Sequence, residues 1–118
     1  MTPDEILAYC QSKPGAWTDF PFDEVTLVMK VGKKLFAILG HDRPLRISLK
    51  CDPERVDALR AQYPAIAPGY YLNKNHWNTV TCDGTVPDDL LRELIDLSYD
   101  LVFKSLTKRE QGEVVSGK

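Results

Sequence analysis

Two runs in which apolar and polar residues alternate, at residues 25–31 and 45–50, flank an apolar run at residues 34–39, and these three runs constrain the fold more than any other feature. A period of two residues is typical of β-strands that bury one face. Only Gly32-Lys33 and residues 40–44 separate the runs, and connections this short join antiparallel neighbours. The sequence therefore predicts a three-stranded antiparallel meander with strands at residues 25–31, 34–39 and 45–50.

The alternation also predicts which side chains share a face of this sheet. Apolar positions of the first and third strands, Val25 among them, are expected to face a core, because every second residue of a strand points the same way. The second strand is apolar on both faces, so the side taken by Lys34 stays open. The polar positions place three basic residues opposite the core: Lys30, Arg46 and Lys50.

Helix signals flank the meander on both sides. Thr2-Pro3-Asp4-Glu5 combines an N-cap hydroxyl, an early proline and a glutamate at the third position, which predicts a helix over residues 3–12. Asp52-Pro53-Glu54 starts a second helix, and Tyr63-Pro64 ends it. A third helix follows Pro87, where an apolar stripe recurs at helical spacing: Leu91, Leu94, Ile95, Ser98, Leu101 and Val102.

The remaining segments are predicted as one strand, two loops and a tail. Residues 76–82 alternate like a fourth strand. An aromatic loop around Trp17 and Phe20 precedes the meander, and residues 64–75 form a second loop because they are rich in proline, glycine and asparagine. From Lys108 onward the sequence is polar and is expected to fray.

Together these elements predict an α+β fold in a single domain over residues 1–118. The sheet is antiparallel, a three-stranded meander plus a later strand, and helices are expected to pack on one of its faces. The other face can stay open to solvent. With 118 residues, 43% of them hydrophobic, the chain is large enough to form a core without disulfides or a structural metal.

Composition narrows the environment of the protein. No apolar run approaches the roughly 20 residues of a membrane-spanning helix, so no membrane association is expected. The first residues are acidic where a secretory signal is basic, and a cytoplasmic location is expected. Three widely spaced cysteines fit neither a disulfide framework nor a zinc site, and they are expected to be reduced and mostly buried: Cys10, Cys51 and Cys82.

The near-neutral net charge of -2 conceals a local excess of positive charge. Residues 30–50 carry six basic residues and one acidic residue. A basic sheet with basic turns is a plausible contact surface for a phosphate backbone, although basic residues on exposed strands also serve solubility and edge protection. The candidate DNA contacts are Lys30, Lys33, Lys34, Arg43, Arg46 and Lys50.

The run Leu72-Asn73-Lys74-Asn75-His76-Trp77-Asn78-Thr79 concentrates side chains that carry a polar tip on an apolar body. It resembles the Leu-Asn-Lys-x-His-Trp-x-Thr element of the MmcQ/YjbR family of small bacterial proteins. Further matches are Lys13-Pro14-Gly15-Ala16 and Ser48-Leu49-Lys50. The resemblance covers nearly the whole chain. The residues that match the family element form a candidate patch: Asn73, Lys74, His76, Trp77 and Thr79.

The resemblance implies a CyaY-like (frataxin-like) arrangement, in which an antiparallel sheet is backed by helices. It also implies DNA binding through a double-wing arrangement, and the two basic turns at Gly32-Lys33 and Asp42-Arg43 would suit such wings. Lys74, which lies beside Asn73 and could hold an anion there, is a further candidate DNA contact. Frataxin-like proteins bind iron on an acidic first helix. Here that helix carries only Asp4 and Glu5, so neither a metal nor a cofactor is expected.

Each member of the candidate patch also has a structural interpretation. His76 could fix its loop by hydrogen bonds instead of acting on a ligand, and Trp77 could belong to the core. Asn73 suits a turn with positive φ or a side-chain bond to its own backbone. Catalytic pairs of Cys51 with His76, or of His76 with Asp83, lack a supporting motif, so no catalytic residue and no enzyme activity is expected.

Two functions remain open. The first is a DNA-binding protein that contacts phosphates through the basic meander. The second is a protein-interaction or small-ligand-binding module that uses the aromatic loop over residues 70–77, including Tyr70, Tyr71, His76 and Trp77. A monomer is favoured in either case.

Overall fold

Six antiparallel strands and four helices make up the fold, and the computed structural model describes them over residues 1–69 and 72–116. All strands belong to one sheet in the order β1-β2-β3-β4-β6-β5. The strands are β1 (Ala16–Asp19), β2 (Leu27–Val31), β3 (Lys34–Leu39), β4 (Arg46–Lys50), β5 (Ile66–Pro68) and β6 (Trp77–Thr81). The helices are α1 (Pro3–Gln11), α2 (Pro53–Gln62), α3 (Asp88–Ser105) and α4 (Lys108–Val115).

The α+β prediction is confirmed, including the meander and the placement of the helices on one face. Ile47 and Leu49 of β4 belong to the same buried cluster as residues of all four helices, among them Ile6, Val56 and Ile95. The predicted alternation of β4 is therefore correct. Because the helices share this single cluster, the opposite side of the sheet is free of helices in the described part of the chain.

A β-bulge explains why the faces of β3 could not be assigned from the sequence. The register between β2 and β3 shifts between Met29 and Lys30, so that β3 has one residue more than β2 along this stretch. Phe36 and Ala37 are consecutive, yet both are fully buried in the helix-covered core. Bulges place two neighbouring side chains on the same side, which breaks the period of two.

Two strands lie where loops were predicted. Residues 16–19 form the edge strand β1, and residues 66–68 form the other edge strand β5, so the sheet has six strands and not four. Val25 was wrongly assigned to the first meander strand. It is 53% exposed and lies before β2, in a segment held by hydrogen bonds from the backbone N–H groups of Val25 and Thr26 to the Asp23 carboxylate.

The segment predicted to fray is helix α4. Thr107 and Glu110 form a reciprocal capping box at its start. Val114 packs into the core against Gly15, whose φ is +70° and where an added Cβ would lie 2.8 Å from Val114 Cγ1. A single buried valine and one cap therefore dock a helix that is otherwise polar.

Burial of the cysteines agrees with the expectation of free thiols. All three are free, Cys10 and Cys51 are buried, and Cys82 is half-buried. Burial raises the pKa of the Cys10 thiol to about 12 and that of Cys82 to about 11. None of the helices in the described residues is long and apolar enough to cross a bilayer.

Candidate functional site

The sheet face that lies opposite the helices, called the open face below, carries the polar positions of the central strands. On β4 these are Arg46, Ser48 and Lys50, as the sequence predicted. Ser48 pairs in register with Ile38 on one side and with Thr79 on the other. Neighbours in register share a face, so the open face presents basic, hydroxyl and small apolar groups side by side.

Arg46 and Lys50 are the free cations of this face. Arg46 is exposed and Lys50 half-buried, and no carboxylate of the described residues lies within 4.0 Å of either side chain. Lys30 is also on the open face, but its Nζ lies 2.8 Å from Asp19 Oδ2 and 5.2 Å from the centre of the Trp17 ring. Lys30 is therefore largely neutralised, which concentrates the available charge on β4.

Each of the other predicted DNA contacts of the meander makes a contact within the chain. Lys34 is on the helix side, where its Nζ donates to the Ser105 carbonyl oxygen at 3.1 Å. Lys33 lies 3.6 Å from Glu110 of α4. Arg43 donates to the carbonyl oxygens of its own turn, at His41 and Asp42.

The two turns of the meander cannot act as adjacent wings. One connects β2 to β3 and the other connects β3 to β4, so they lie at opposite ends of β3. Six residues of extended chain separate them by about 20 Å. The basic residues of the meander thus form no single continuous patch, and Arg46 and Lys50 are those that lie on the open face without an ion-pair partner among the described residues.

The turn that precedes β6 holds the residues of the family element. The backbone N–H of Asn75 donates to Asn73 Oδ1 at 2.9 Å, so Asn73 makes a side-chain bond to the turn backbone, one of its two predicted roles. No non-glycine residue among those described has a positive φ. Lys74 is exposed at the tip of this turn and makes no ion pair with a described residue. Since Trp77 pairs with Lys50, the turn adjoins the end of β4 that carries Lys50.

Arg60 of α2 fixes this turn, a role that the sequence did not reveal. Its Nε donates to Asn78 Oδ1 at 2.7 Å, and its guanidinium also donates to the carbonyl oxygens of Lys74 and Trp77. Asn78 is 97% buried on the helix side, and its Nδ2 has no hydrogen-bond partner among the described residues. One arginine therefore connects a helix, a turn and a strand, which holds Lys74 beside the sheet.

The other members of the candidate patch are His76, at the end of this turn, and Trp77 and Thr79 of β6. Trp77 is buried, but it lies on the open face with Thr79 and not in the helix-covered core cluster. Thr79 Oγ1 lies 2.9 Å from Ser48 Oγ. The side chain of His76 makes no hydrogen bond to a described residue, and its backbone carbonyl oxygen accepts from the Cys51 N–H. Tyr70 and Tyr71 of the predicted aromatic loop lie outside the described residues.

The candidate catalytic pairs show no sign of an activated group. Cys51 is buried next to the backbone of His76, and burial raises the pKa of its thiol. Asp83 and His76 are separated by the length of β6, and Asp83 accepts hydrogen bonds from Thr85, which lower the pKa of its carboxyl group. The arrangement is therefore suited to binding through cations and hydroxyls.

Comparison with known proteins places this geometry in a family. A model of the YjbR family matches residues 11–101. The chain is 38% identical over 113 residues to the uncharacterized protein YjbR of Escherichia coli strain K12, which covers 94% of this chain and 95% of that protein. It is 28% identical over 116 residues to the uncharacterized protein YyaQ of Bacillus subtilis, covering 86% of this chain and 98% of that one.

Solved structures show the same fold. A Deinococcus radiodurans protein, described as a DUF419 domain in its crystal structure, superposes with a TM-score of 0.90 and 49% sequence identity. That match covers 97% of this chain and 88% of the other. A Pseudomonas syringae protein superposes with a TM-score of 0.75 and 30% identity, covering 86% of this chain and 99% of that protein.

Proposed function

We propose that this chain, which belongs to the YjbR family, binds DNA through a basic strip on the open face. The strip consists of Arg46, Lys50 and Lys74. The observation that carries the proposal is that these three cations have no carboxylate within 4.0 Å among the described residues, whereas Lys30 and Lys33 do. A cation without an internal partner is free to replace the counterions of a phosphate.

The strip has dimensions that suit a phosphate backbone. Arg46 and Lys50 are four residues apart on one strand, a separation of about 13 Å. Along one strand of duplex DNA, phosphates recur about every 3.4 Å of helix axis, so this distance spans several of them. Lys74 extends the strip beyond the end of β4, because its turn adjoins Lys50.

This assignment differs from a double wing and includes no catalytic step. Backbone hydrogen bonds from Thr26 and Val25, together with the nearby His41 of the turn at residues 40–44, lower the pKa of the Asp23 carboxyl group, so this turn lies beside an acidic residue. A flat strip on the sheet face needs no cooperation between turns at opposite ends of β3. Burial raises the pKa of the Cys51 thiol, which disfavours nucleophilic chemistry at that residue.

Fluorescence anisotropy with a labelled duplex of about 20 base pairs tests the proposal. Three phosphate contacts predict a slope of about -2.7 for log K against log salt, so affinity should fall roughly 40-fold between 50 and 200 mM salt. The double variant Arg46→Glu/Lys50→Glu should abolish binding at 50 mM salt. Lys74→Gln should reduce the salt slope by about one contact.

A matched control distinguishes loss of DNA binding through the strip from loss caused by the change in net charge alone. Lys108→Glu/Arg109→Glu changes the total charge by the same amount, but both residues lie in the first turn of α4 and not on the sheet. Acidic residues are favourable at a helix N-terminus, so this variant should fold. Equal loss of binding in both double variants, or no binding of the unmodified protein at low salt, would refute the proposal.

A further inference from the structure

A cavity of about 190 Å³ lies on the open face, between the polar side of β4 and the β3–β4 turn. Ile38 and Ser48, which are 4% and 8% exposed, line it together with Thr79. Arg46 and His41 also line it. The cavity thus combines a small apolar surface, two hydroxyls and a guanidinium, which are groups typical of sites for small polar ligands.

The two hydroxyls leave one hydrogen without an acceptor. Ser48 Oγ and Thr79 Oγ1 are 2.9 Å apart, and their mutual bond uses one of their two hydroxyl hydrogens. Neither hydroxyl makes a further hydrogen bond to the described residues. Either hydroxyl can be the donor, so the second hydrogen lies on Ser48, which is more than nine-tenths buried, or on the half-buried Thr79, and both residues line the cavity.

Arg46 supplies the charge beside this hydroxyl pair. It lies on the same face of β4 two residues from Ser48, a separation of about 7 Å along the strand. Its planar guanidinium presents several N–H donors in a fork that matches a carboxylate or a phosphate group. A ligand oxygen within the cavity can therefore accept from a hydroxyl while a second oxygen meets Arg46.

The acidic residue of the cavity does not neutralise Arg46. Asp42 is the carboxylate that lines the cavity among the described residues, and its side chain is 73% exposed at 4.0 Å from His41 Nε2. Solvent screens a charge at such a position. Thr26 also lines the cavity, but its hydroxyl donates to Asp23 and so offers acceptor capacity only.

We infer that this cavity binds a small oxyanion, either inorganic phosphate or a short carboxylate. The guanidinium and the unused hydroxyl hydrogen are both donors, and an acceptor that carries negative charge forms the strongest hydrogen bonds with them. A volume of 190 Å³ lies below that of drug-sized pockets, which favours a small ligand. The inference goes beyond the proposed function, since it requires no DNA.

Titration of the ¹⁵N-labelled protein with inorganic phosphate, and separately with acetate, tests this site by NMR. Ionic strength is held constant with sodium chloride. Saturable shifts are expected at the backbone amides of Gly40, Ser48 and Thr79. Shifts with phosphate alone, with acetate alone or with both support an oxyanion site and identify the chemical group. Identical shifts with chloride at equal ionic strength would overturn it.

Two variants and one control assign the binding to the proposed residues. Ser48→Ala/Thr79→Val removes both hydroxyls together, so no partner is left unpaired, and should weaken binding at least about tenfold. Arg46→Gln should do the same. Lys50→Gln, on the same face but outside the cavity, should leave anion affinity within about twofold. Unchanged affinity in the hydroxyl variant, or equal losses in Arg46→Gln and Lys50→Gln, would contradict the site.

The same control keeps this inference separate from DNA binding. Lys50→Gln is expected to weaken DNA binding while it spares the anion, because Lys50 belongs to the strip and not to the cavity lining. The titration contains no DNA, so its outcome is independent of the anisotropy measurements. If DNA fails to bind but phosphate or acetate saturates the cavity, only the proposed function is refuted.

Discussion

The two faces of the central sheet differ in what their side chains do, although they alternate along the same strands. On β4, Ile47 is fully buried in the core, while its neighbours Arg46 and Ser48 belong to the open face. The helix-covered face packs apolar groups against the helices, and the open face presents the cations and hydroxyls of its strands beside buried apolar residues such as Ile38. This comparison indicates that stability and binding depend on adjacent positions, so substitutions one residue apart should separate them.

The largest effect is expected at the bulge on the covered face. Phe36 is fully buried, and its ring packs edge-to-face on Tyr99 at 5.4 Å between centres. Phe36→Ala should lower the free energy of unfolding by about 3–5 kcal/mol, measured by urea denaturation. Leu35→Ala is the control, because Leu35 is only partly buried and pairs with Lys30 on the open face. Equal losses in the two variants would remove the distinction between the faces.

A smaller loss of stability is expected when Arg60 of α2 loses its contacts with β6 and with the turn that precedes it. Arg60→Ala leaves the buried Asn78 Oδ1 without its donor and frees the carbonyl oxygen of Lys74. The free energy of unfolding should fall by about 1–3 kcal/mol. Arg55→Ala, on the same helix, removes only an exposed pair with Glu93 and should cost less than about 1 kcal/mol.

The same Arg60 variant also tests whether a residue on the helix side positions Lys74 for DNA binding. With its turn released, Lys74 should become more mobile, and DNA affinity should fall even though Lys74 itself is unchanged. Amide hydrogen exchange at Asn75 and His76 reports the release of the turn. Unchanged exchange there would show that Arg60 does not position the turn.

The alternating face of β4 could be predicted from the sequence because its apolar and polar residues separate strictly. β1 and β5 could not be predicted for a physical reason. They are edge strands of four and three residues, and Trp17-Thr18-Asp19 and Ala67-Pro68 show no clean alternation. Short edge strands are stabilised by pairing with β2 and β6, which is information that no local window contains.

The candidate site was predictable only in part. The period of two residues predicted that Arg46, Lys50 and Lys30 share one face. The neutralisation of Lys30 by Asp19 could not be predicted in this way, because it depends on the pairing of β1 with β2. The anchoring of the turn by Arg60 depends on how α2 approaches β6. Helix α4 did carry a local signal, the capping box at Thr107 and Glu110, which the polar composition of the tail outweighed.

The capping box of α4 is expected to make a moderate contribution to the free energy of unfolding. Thr107→Ala removes the acceptor of the Glu110 N–H and should cost about 1 kcal/mol of unfolding free energy. Exchange of the α4 amides should accelerate more than that of α3. Thr85→Ala, which removes a hydroxyl from an exposed turn, serves as the control. Equal protection of α4 in both variants would show that the cap does not hold this helix.

The smallest change in stability is expected on the open face, where the largest change in binding is proposed. Arg46→Gln and Lys50→Gln each remove a cation without a described carboxylate partner, so no buried group loses its counterpart. The free energy of unfolding should change by at most about 0.5 kcal/mol in either variant, measured by the same urea denaturation. Ile47→Ala, between them on the covered face, should cost about 2–5 kcal/mol. A destabilisation by Arg46→Gln comparable to that of Ile47→Ala would mean that the guanidinium stabilises the fold, and the strict division between the two faces would fail.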